Sequence, residues 1–243
     1  MSVVVVTGTC TGVGKTVVTA ALAALARDRG ASVAVVKPAQ TGTGPGEPGD
    51  LEDVRRLAGV DELHEYGRYP DPLSPAAAAR RSGLPPVGLT GAADRIRDLA
   101  ESHRLVLVEG AGGLLVRYDE DGTTIADLAR LLGAPVVVVV RPDLGTLNHT
   151  ALTLEAMAHR GVELGGIVIG EWPAAPDLAM RGNIRDLETV SARPLAGALP
   201  AGAGALDPAG FLTIARHGLA PPLGGVFDPT SFRDRFAPDK ETH

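Results

Sequence analysis

The feature that most constrains the fold is a glycine-rich loop near the N-terminus. Residues 7–16 read TGTCTGVGKT and follow directly after the valine run Val3–Val6. A valine run of this kind is typical of a strand buried on both faces. The order of strand, glycine loop, lysine and threonine is typical of a loop that binds a nucleoside triphosphate, with backbone N–H groups and a helix N-terminus holding the phosphates. The segment therefore predicts a phosphate-binding loop between a first strand and a first helix.

The loop is a variant of the strict pattern G-x-x-x-x-G-K-[ST], because Thr9 stands where the pattern has glycine and Gly8 comes one residue earlier. We expect Lys15 to contact the β- and γ-phosphates and the Thr16 hydroxyl to bind Mg²⁺. A turn that served only strand–helix packing would not explain why lysine and threonine follow. The predicted nucleotide-binding residues of the loop are Thr9, Gly12, Val13, Gly14, Lys15 and Thr16.

Composition limits the alternatives. A chain of 243 residues with 44% hydrophobic residues is long enough to bury one large core, which favours a single α/β domain. The net charge of −6 and the scattered basic residues give no reason to expect nucleic acid or an anionic membrane as partner. The single cysteine, Cys10, excludes an internal disulfide, and the chain enters a strand without a charged leader. We therefore expect a cytoplasmic protein.

Strand-like and helical segments alternate along the chain, which is typical of βαβ units. The predicted fold is one α/β domain over residues 1–220, with a mostly parallel central sheet and helices on both faces. Residues 221–243, rich in Pro, Gly and charge, are predicted to form a tail with a poorly ordered end. The predicted strands are Val3–Val6, Val33–Lys37, Leu105–Glu109, Val136–Val140, Gly166–Ile169 and Pro194–Leu199, and the predicted helices include Val17–Arg29, Ala92–Ser102, Thr124–Leu132 and Leu147–Arg160.

Charged residues follow two of the predicted strands. Lys37 ends the second strand and Glu109 ends the third, while Asp50 comes after a Gly/Pro-rich loop that we expect to be mobile without ligand. Parallel sheets bind ligands beyond the carboxyl ends of their strands. We therefore expect Lys37 and Glu109 to lie beside a ligand. For Asp50, an ordinary helix cap is one interpretation that stays open.

Four motifs occur together in one chain: GTxTxxGKT at residues 8–16, Lys37-Pro38, EGAGG at residues 109–113 and LGTLNH at residues 144–149. In this order and spacing the chain resembles the dethiobiotin synthetases. The resemblance implies a P-loop NTPase domain and a homodimer that carboxylates 7,8-diaminononanoate with CO2. It further implies that ATP, with Mg²⁺, then closes the cyclic urea through a carbamic–phosphoric anhydride.

The resemblance also implies roles for particular residues. Lys15, Lys37 and Thr11 are the candidate catalytic residues, and Thr16, Asp50 and Glu109 are the candidate metal ligands. Pro200 and Gly202 are expected near the nucleotide base. The substrate is expected to contact Thr41, Gly112 and Gly113 of one subunit, and Leu147 and Asn148 at a helix N-terminus of the neighbouring subunit.

The match breaks at two positions. Cys10 stands where the family commonly has aspartate, and Gly170 stands where it often has an asparagine that reads adenine. Glycine has no side chain with which to read a base edge. We therefore hypothesise relaxed base selectivity, with the base held by backbone groups near residues 200–204 and with other nucleoside triphosphates competing against ATP.

Two rival classes share parts of these motifs. A switch ATPase of the chromosome-partitioning or septum-positioning type usually has an earlier lysine in its P-loop, which this loop lacks. A glutamine-dependent amide synthetase of corrin biosynthesis needs a further domain with a nucleophilic cysteine. His149 is a tempting general base, but no carboxylate is placed by sequence to orient it, so an ordinary helical residue is the favoured interpretation.

Overall fold

The computed structural model describes residues 2–237 and contains a seven-stranded sheet in the order β4-β2-β6-β1-β7-β8-β9. Every neighbouring pair is parallel. The strands are β1 (Ser2–Gly8), β2 (Val33–Lys37), β4 (Leu63–Glu65), β6 (Leu105–Gly113), β7 (Val136–Val140), β8 (Leu164–Trp172) and β9 (Gly197–Pro200); β3 (Gln40–Thr41) and β5 (Arg68–Tyr69) pair separately. The predicted parallel α/β architecture is confirmed.

Valine makes this sheet possible. β-branched side chains fit a pleated surface covered on both faces, and β7 is five consecutive buried valines. Because successive side chains point to opposite faces, Val5 joins one core layer and Val6 the other. The central strand β1 pairs with β6 through Val3 and Val106 and with β7 through Val6 and Val137.

The helices form two layers. The helices are α1 (Lys15–Asp28), α2 (Asp50–Ala58), α3 (Pro75–Ser82), α4 (Leu89–Ser102), α5 (Ile125–Leu132), α6 (Thr146–His159), α7 (Leu178–Ser191), α8 (Pro208–Gly218) and α9 (Pro229–Phe236). Helix α1 packs between the sheet and helices α2 and α8. Its alanines permit this double contact, and Ala20, Ala21 and Ala23 are fully buried. Among residues 2–237 no helix is long and apolar enough to cross a membrane.

Several strands have boundaries that differ from those predicted from the sequence. β6 continues past Glu109 to Gly113, and the last strand begins at Gly197, three residues after the predicted start. Residues 221–237, which belong to the predicted C-terminal tail, contain a 3₁₀ turn and helix α9. Phe232 and Phe236 of this segment pack against Trp172, and Phe227 packs against Phe232. Residues 238–243 lie outside the described residues, so the expectation for them stays a prediction.

Candidate active site

The phosphate-binding loop joins β1 to α1 in the predicted place. Gly12 and Gly14 adopt φ values of 69° and 91°, which favour glycine because a Cβ would clash with the backbone. Gly14 is the N-cap of α1. The Lys15 ammonium turns back and donates to the Cys10 carbonyl at 3.1 Å. The backbone N–H groups of the loop, the N-terminus of α1 and Lys15 thus lie together, in the arrangement of an anion-binding site.

Gly170 at the end of β8 lies directly against this loop. A Cβ at Gly170 would overlap the carbonyl oxygen of Val13 and would lie 2.8 Å from a methyl group of Val139. A Cβ at Gly14 would in turn lie 3.0 Å from Gly170. The glycine at this position therefore has a packing role in addition to lacking a base-reading side chain, because only hydrogen fits between β8 and the loop.

Three charged residues meet beside the loop: Lys37 at the end of β2, Glu109 in the neighbouring strand β6 and Asp50 at the start of α2. The Lys37 ammonium lies 2.7 Å from Oε1 of Glu109 and also contacts the carboxylate of Asp50. Thr16 donates its hydroxyl to the same Oε1 at 2.9 Å. Glu109 is fully buried, and its Oε2 has no hydrogen-bond partner among the described residues. An unpartnered carboxylate oxygen at a buried strand end is costly without a ligand, so this atom indicates that something binds there.

Burial and charge act against each other in this cluster. Burial lowers the pKa of Lys37, but Glu109 and Asp50 outweigh it and raise that pKa above its ordinary value. Burial raises the pKa of Asp50, yet the neighbouring Lys37 ammonium holds it below its ordinary value. The pKa of Glu109 is raised by burial, which Lys37 only partly opposes. Lys37 and Asp50 are thus a charged pair at neutral pH.

Lys15 lies on the other side of the same site. Its pKa is lowered, first by burial and then by repulsion from Lys37. Two ammonium groups that repel each other in a partly buried cleft are stabilised by a polyanion between them. The cleft is therefore suited to a triphosphate.

The structure decides the question about Asp50. Helix α2 begins at Asp50 and its N-cap is Gly49, whose N–H donates to Glu52 at 2.8 Å. The Asp50 carboxylate is directed to Lys37, and its own N–H donates to the buried Gln40 side chain at 3.0 Å. Asp50 is therefore not the helix cap that one interpretation proposed.

Most predicted residues line one cleft of about 810 Å³. The structure brings together there Thr11, Gly12, Gly14, Lys15, Thr16, Lys37, Thr41, Asp50, Glu109 and Gly112. A second cleft of about 310 Å³ continues from the loop and is lined by Gly12, Val13, Arg141, Pro142, Asp143, Glu171, Pro173, Met180 and Ala201. We call it the side cleft. Gly12 and Glu171 line both.

Other predicted residues are not among those that line either cleft. Gly113 sits against the phosphate-binding loop, where a Cβ would lie 3.4 Å from the carbonyl oxygens of Gly8 and Thr9. Pro200 and Gly202 flank Ala201, which does line the side cleft. Leu147, Asn148 and His149 lie on α6 outside both clefts of their own chain, so a role for the first two depends on a second subunit.

Sequence reasoning missed four residues of the site. Gln40 and Tyr118 are buried polar residues, and the Tyr118 hydroxyl accepts the Ala111 N–H at 2.8 Å, which fixes the strand end before Gly112. Arg141 donates to the Thr11 carbonyl at 3.3 Å, and Glu171 lies between the two clefts. The position of Arg141 directly after β7 was an available signal, since it follows the same strand-end rule as Lys37.

Comparison with known proteins agrees with this geometry. A family model described as an AAA domain matches residues 2–206. An ATP-dependent dethiobiotin synthetase from Parafrankia sp. (strain EAN1pec) is 65% identical over 98% of this chain and 100% of its own length. The dethiobiotin synthetase of Streptomyces coelicolor is 57% identical over 98% of this chain and all of its own.

The chain belongs to the dethiobiotin synthetase family. Both matches cover 98% of this chain and the full length of the relative.

Solved structures of lower identity show the fold alone. The septum site-determining protein MinD from Pyrococcus horikoshii, solved with Mg-ADP, has a TM-score of 0.53 at 17% identity and covers 87% of this chain and 85% of its own. A ParA family ATPase from Chlorobium tepidum has a TM-score of 0.54 at 16% identity, over 96% and 98%. These two structures share the fold, whereas the relatives at 57–65% identity are dethiobiotin synthetases.

Proposed function

We propose that the protein is an ATP-dependent dethiobiotin synthetase, which closes the ureido ring of dethiobiotin from 7,8-diaminononanoate and CO2. The observation that carries the proposal is the buried cluster of Lys37, Glu109 and Asp50 at the same cleft as Lys15. Binding of a nucleotide by a switch protein requires the phosphate-binding loop. A second buried lysine, held by two carboxylates beside that loop, is in addition suited to the transfer of a phosphoryl group to a bound acceptor.

The reaction has three steps. One amine of the substrate attacks CO2, and the new C–N bond gives a carbamate and a released proton. The γ-phosphoryl group of ATP passes to a carbamate oxygen, which leaves ADP and a carbamic–phosphoric anhydride. The second amine then attacks the carbonyl carbon, and the C–O bond breaks as inorganic phosphate and a proton leave.

The residues contribute position and charge. Lys15 and Lys37 flank the cleft and neutralise negative charge on the transferred group. The hydroxyls of Thr11 and Thr41 line the cleft and bond phosphate or carbamate oxygens. The Tyr118 hydroxyl accepts the Ala111 N–H and fixes the backbone before Gly112, which lines the cleft where the substrate would bind.

The residues present also fit a magnesium ion. No group of three or more His, Cys, Asp and Glu side chains that could hold a metal occurs among residues 2–237. Mg²⁺ needs no such group, since it accepts one or two carboxylates together with phosphate oxygens and water. Thr16, Asp50 and Glu109 would hold it, and the orphaned Oε2 of Glu109 supports this assignment. When bound, the ion supplies positive charge to the triphosphate.

We further propose that two chains form the working enzyme. Helix α6 buries only Thr146, Thr150 and Met157 of its 14 residues, and Leu152 on it is 56% exposed. A partner subunit would cover this face and bring the N-terminus of α6, with Leu147 and Asn148, to the substrate carboxylate.

The base of the nucleotide would lie in the side cleft, beside Ala201 and its sequence neighbours Pro200 and Gly202. Because Gly170 offers no side chain there, we expect CTP or GTP to compete with ATP. Turnover with ATP alone at equal concentrations would contradict this expectation. Activity in the cytoplasm stays a prediction.

The test measures phosphate release from ATP, Mg²⁺ and bicarbonate with and without 7,8-diaminononanoate. We expect release only with the diamine, and a product whose mass equals that of the diamine plus one carbonyl unit less two hydrogens. Phosphate release indifferent to the diamine would contradict the proposal.

A further inference from the structure

The C-terminal segment carries an unusual share of the aromatic residues of this chain. Three of the four phenylalanines of the chain, Phe227, Phe232 and Phe236, lie within ten residues of one another. The ring centroids of Phe232 and Phe236 lie 5.0 and 5.3 Å from that of the single tryptophan, Trp172, in edge-to-face geometry, and Phe227 packs against Phe232. We call these four residues the aromatic cluster. In a chain with 3% aromatic residues, these rings are concentrated at one place in the fold.

Trp172 connects this cluster to the side cleft. Its neighbours in sequence, Glu171 and Pro173, both line that cleft. Its carbonyl oxygen accepts the N–H of Ala201 at 2.8 Å, and Ala201 lines the cleft as well. The backbone that forms one wall of the cleft is therefore anchored by a ring that faces the C-terminal helix.

The start of α7 rests on the same cluster. Met180 lines the side cleft and packs, with Phe232 and Phe236, against the buried core that contains Trp172. Helix α9 is also tied to α7 by an ion pair between Arg233 and Glu188 at 2.7 Å. The wall of the cleft and the C-terminal helix thus form one packed unit.

We propose that helix α9 and the aromatic cluster are positioning elements for the nucleoside part of the nucleotide. They hold the strand ends of β8 and β9 and the start of α7 in the places that form the side cleft. The phosphates are held separately by the loop at residues 8–16. The inference rests on the proposed nucleotide site, and it predicts that the C-terminal segment affects the binding of a nucleoside but not of a bare polyphosphate.

The test compares the affinities of ATP and of inorganic tripolyphosphate, each with Mg²⁺, by calorimetry on the full-length chain. In the double variant Phe232→Leu/Phe236→Leu we expect ATP affinity to fall about five- to tenfold. Tripolyphosphate affinity should stay within about twofold of wild type, because its contacts are in the loop. Phe236→Leu alone should shift the ATP affinity in the same direction by a smaller factor, which keeps the test usable if the double variant does not fold.

Phe211→Leu is the matched control. Phe211 is fully buried on α8 in the opposite core layer, so the same substitution there lowers stability without touching the aromatic cluster. Its ratio of ATP to tripolyphosphate affinity should equal that of wild type. An unchanged ratio in the double variant would overturn the inference, and so would equal weakening of both ligands, because that would mean only a general loss of structure.

The outcomes separate this inference from the proposed ligase activity. If the wild-type protein binds ATP more tightly than tripolyphosphate but does not consume the diamine, the ligase proposal fails, and a lowered ratio of ATP to tripolyphosphate affinity in the double variant would still support this inference. If ATP binds no more tightly than tripolyphosphate, the inference fails whatever the ligase assay shows. Trp172, as the single tryptophan, gives a second measurement, since ATP should change its fluorescence more than tripolyphosphate does.

Discussion

At the scale of single residues, the site depends on a buried charge that is only partly compensated. Glu109 is fully buried, and its contacts are Lys37 and Thr16 at one oxygen. Removing one partner of a buried pair leaves the other charge without solvation, which costs more than the pair contributes. The cluster therefore couples function to stability.

Replacing Lys37 by methionine tests this coupling. We expect Lys37→Met to lower the free energy of unfolding by about 3 kcal/mol, because Glu109 loses its cation, and to abolish ligase turnover. Urea denaturation and the diamine-dependent phosphate assay measure the two effects. The double variant Lys37→Met/Glu109→Gln should recover part of the stability and none of the activity.

The control is an exposed ion pair of the same length. Arg80 contacts Glu120 at 2.7 Å with both side chains well exposed, so Arg80→Met should cost less than about 1 kcal/mol. If the two variants had equal free energies of unfolding, the buried pair of Lys37 and Glu109 would contribute no more to stability than the exposed pair does.

Asp50 gives a prediction about pH. Burial raises its pKa, but Lys37 holds it below the ordinary value of 3.8. A carboxylate with a lowered folded pKa stabilises the fold above its unfolded pKa, and the stabilisation is lost as pH falls through the folded pKa. The free energy of unfolding of wild type should therefore fall more than that of Asp50→Asn between about pH 5 and pH 3. The control is Asp53→Asn, at an exposed position of the same helix, whose free energy of unfolding should fall with pH as that of wild type does. If the free energies of wild type, Asp50→Asn and Asp53→Asn fell by equal amounts, the prediction would be wrong.

At the scale of elements, the position of the phosphate-binding loop depends on its contact with β8. Gly170 and Gly14 bring the two backbones so close that no side chain fits between them. The end of β8, more than 150 residues later in the chain, therefore packs against the loop and fixes its position. Phosphate affinity should respond to a change in that strand.

Gly170→Ala tests the contact. We expect the added methyl group to displace the Val13 carbonyl, to destabilise the protein by about 1–3 kcal/mol, and to weaken tripolyphosphate binding. Gly182→Ala is the matched control, since a Cβ there meets no atom within 4 Å and alanine favours the helix interior. Normal tripolyphosphate binding by Gly170→Ala, measured by calorimetry, would rule out the contact as a determinant of the loop.

At the scale of the whole molecule, one helix has a face that the described chain does not cover. Helix α6 is 14 residues long, and seven of these residues, including Leu152, are exposed. Its N-terminal residues Leu147 and Asn148 are predicted to serve the site of another subunit. Assembly and activity should therefore be lost together.

Leu152→Glu tests this link. A charge in the centre of an apolar interface is costly to bury, so we expect the variant to be monomeric in light scattering after gel filtration, and to lose ligase turnover while it still binds tripolyphosphate. Leu131→Glu, at a leucine of α5 that is 40% exposed, should leave the oligomeric state as in wild type. A dimeric and active Leu152→Glu would exclude α6 as the interface.

The sequence alone was enough for features that depend on local order along the chain. The valine runs and the alternation of strands and helices predicted the parallel sheet, and the motifs predicted that Lys15, Thr16, Lys37 and Glu109 would meet at one cleft. The sheet and this meeting could be predicted because strand alternation and the common edge of parallel strands follow from backbone geometry; that the cleft binds phosphate stays a prediction. The family motifs led to the same conclusion.

Only the tertiary structure decided the features that depend on contacts between distant segments. It directed Asp50 to Lys37 and not to the helix end, placed Gly170 against Val13, and packed helix α9 on Trp172. Residues 221–237 read as a tail because their composition is rich in Pro, Gly and charged residues. Their phenylalanines contact one another, and Phe232 and Phe236 also pack against Trp172, some sixty residues earlier in the chain; the free energy of burying these rings is not visible in the local sequence.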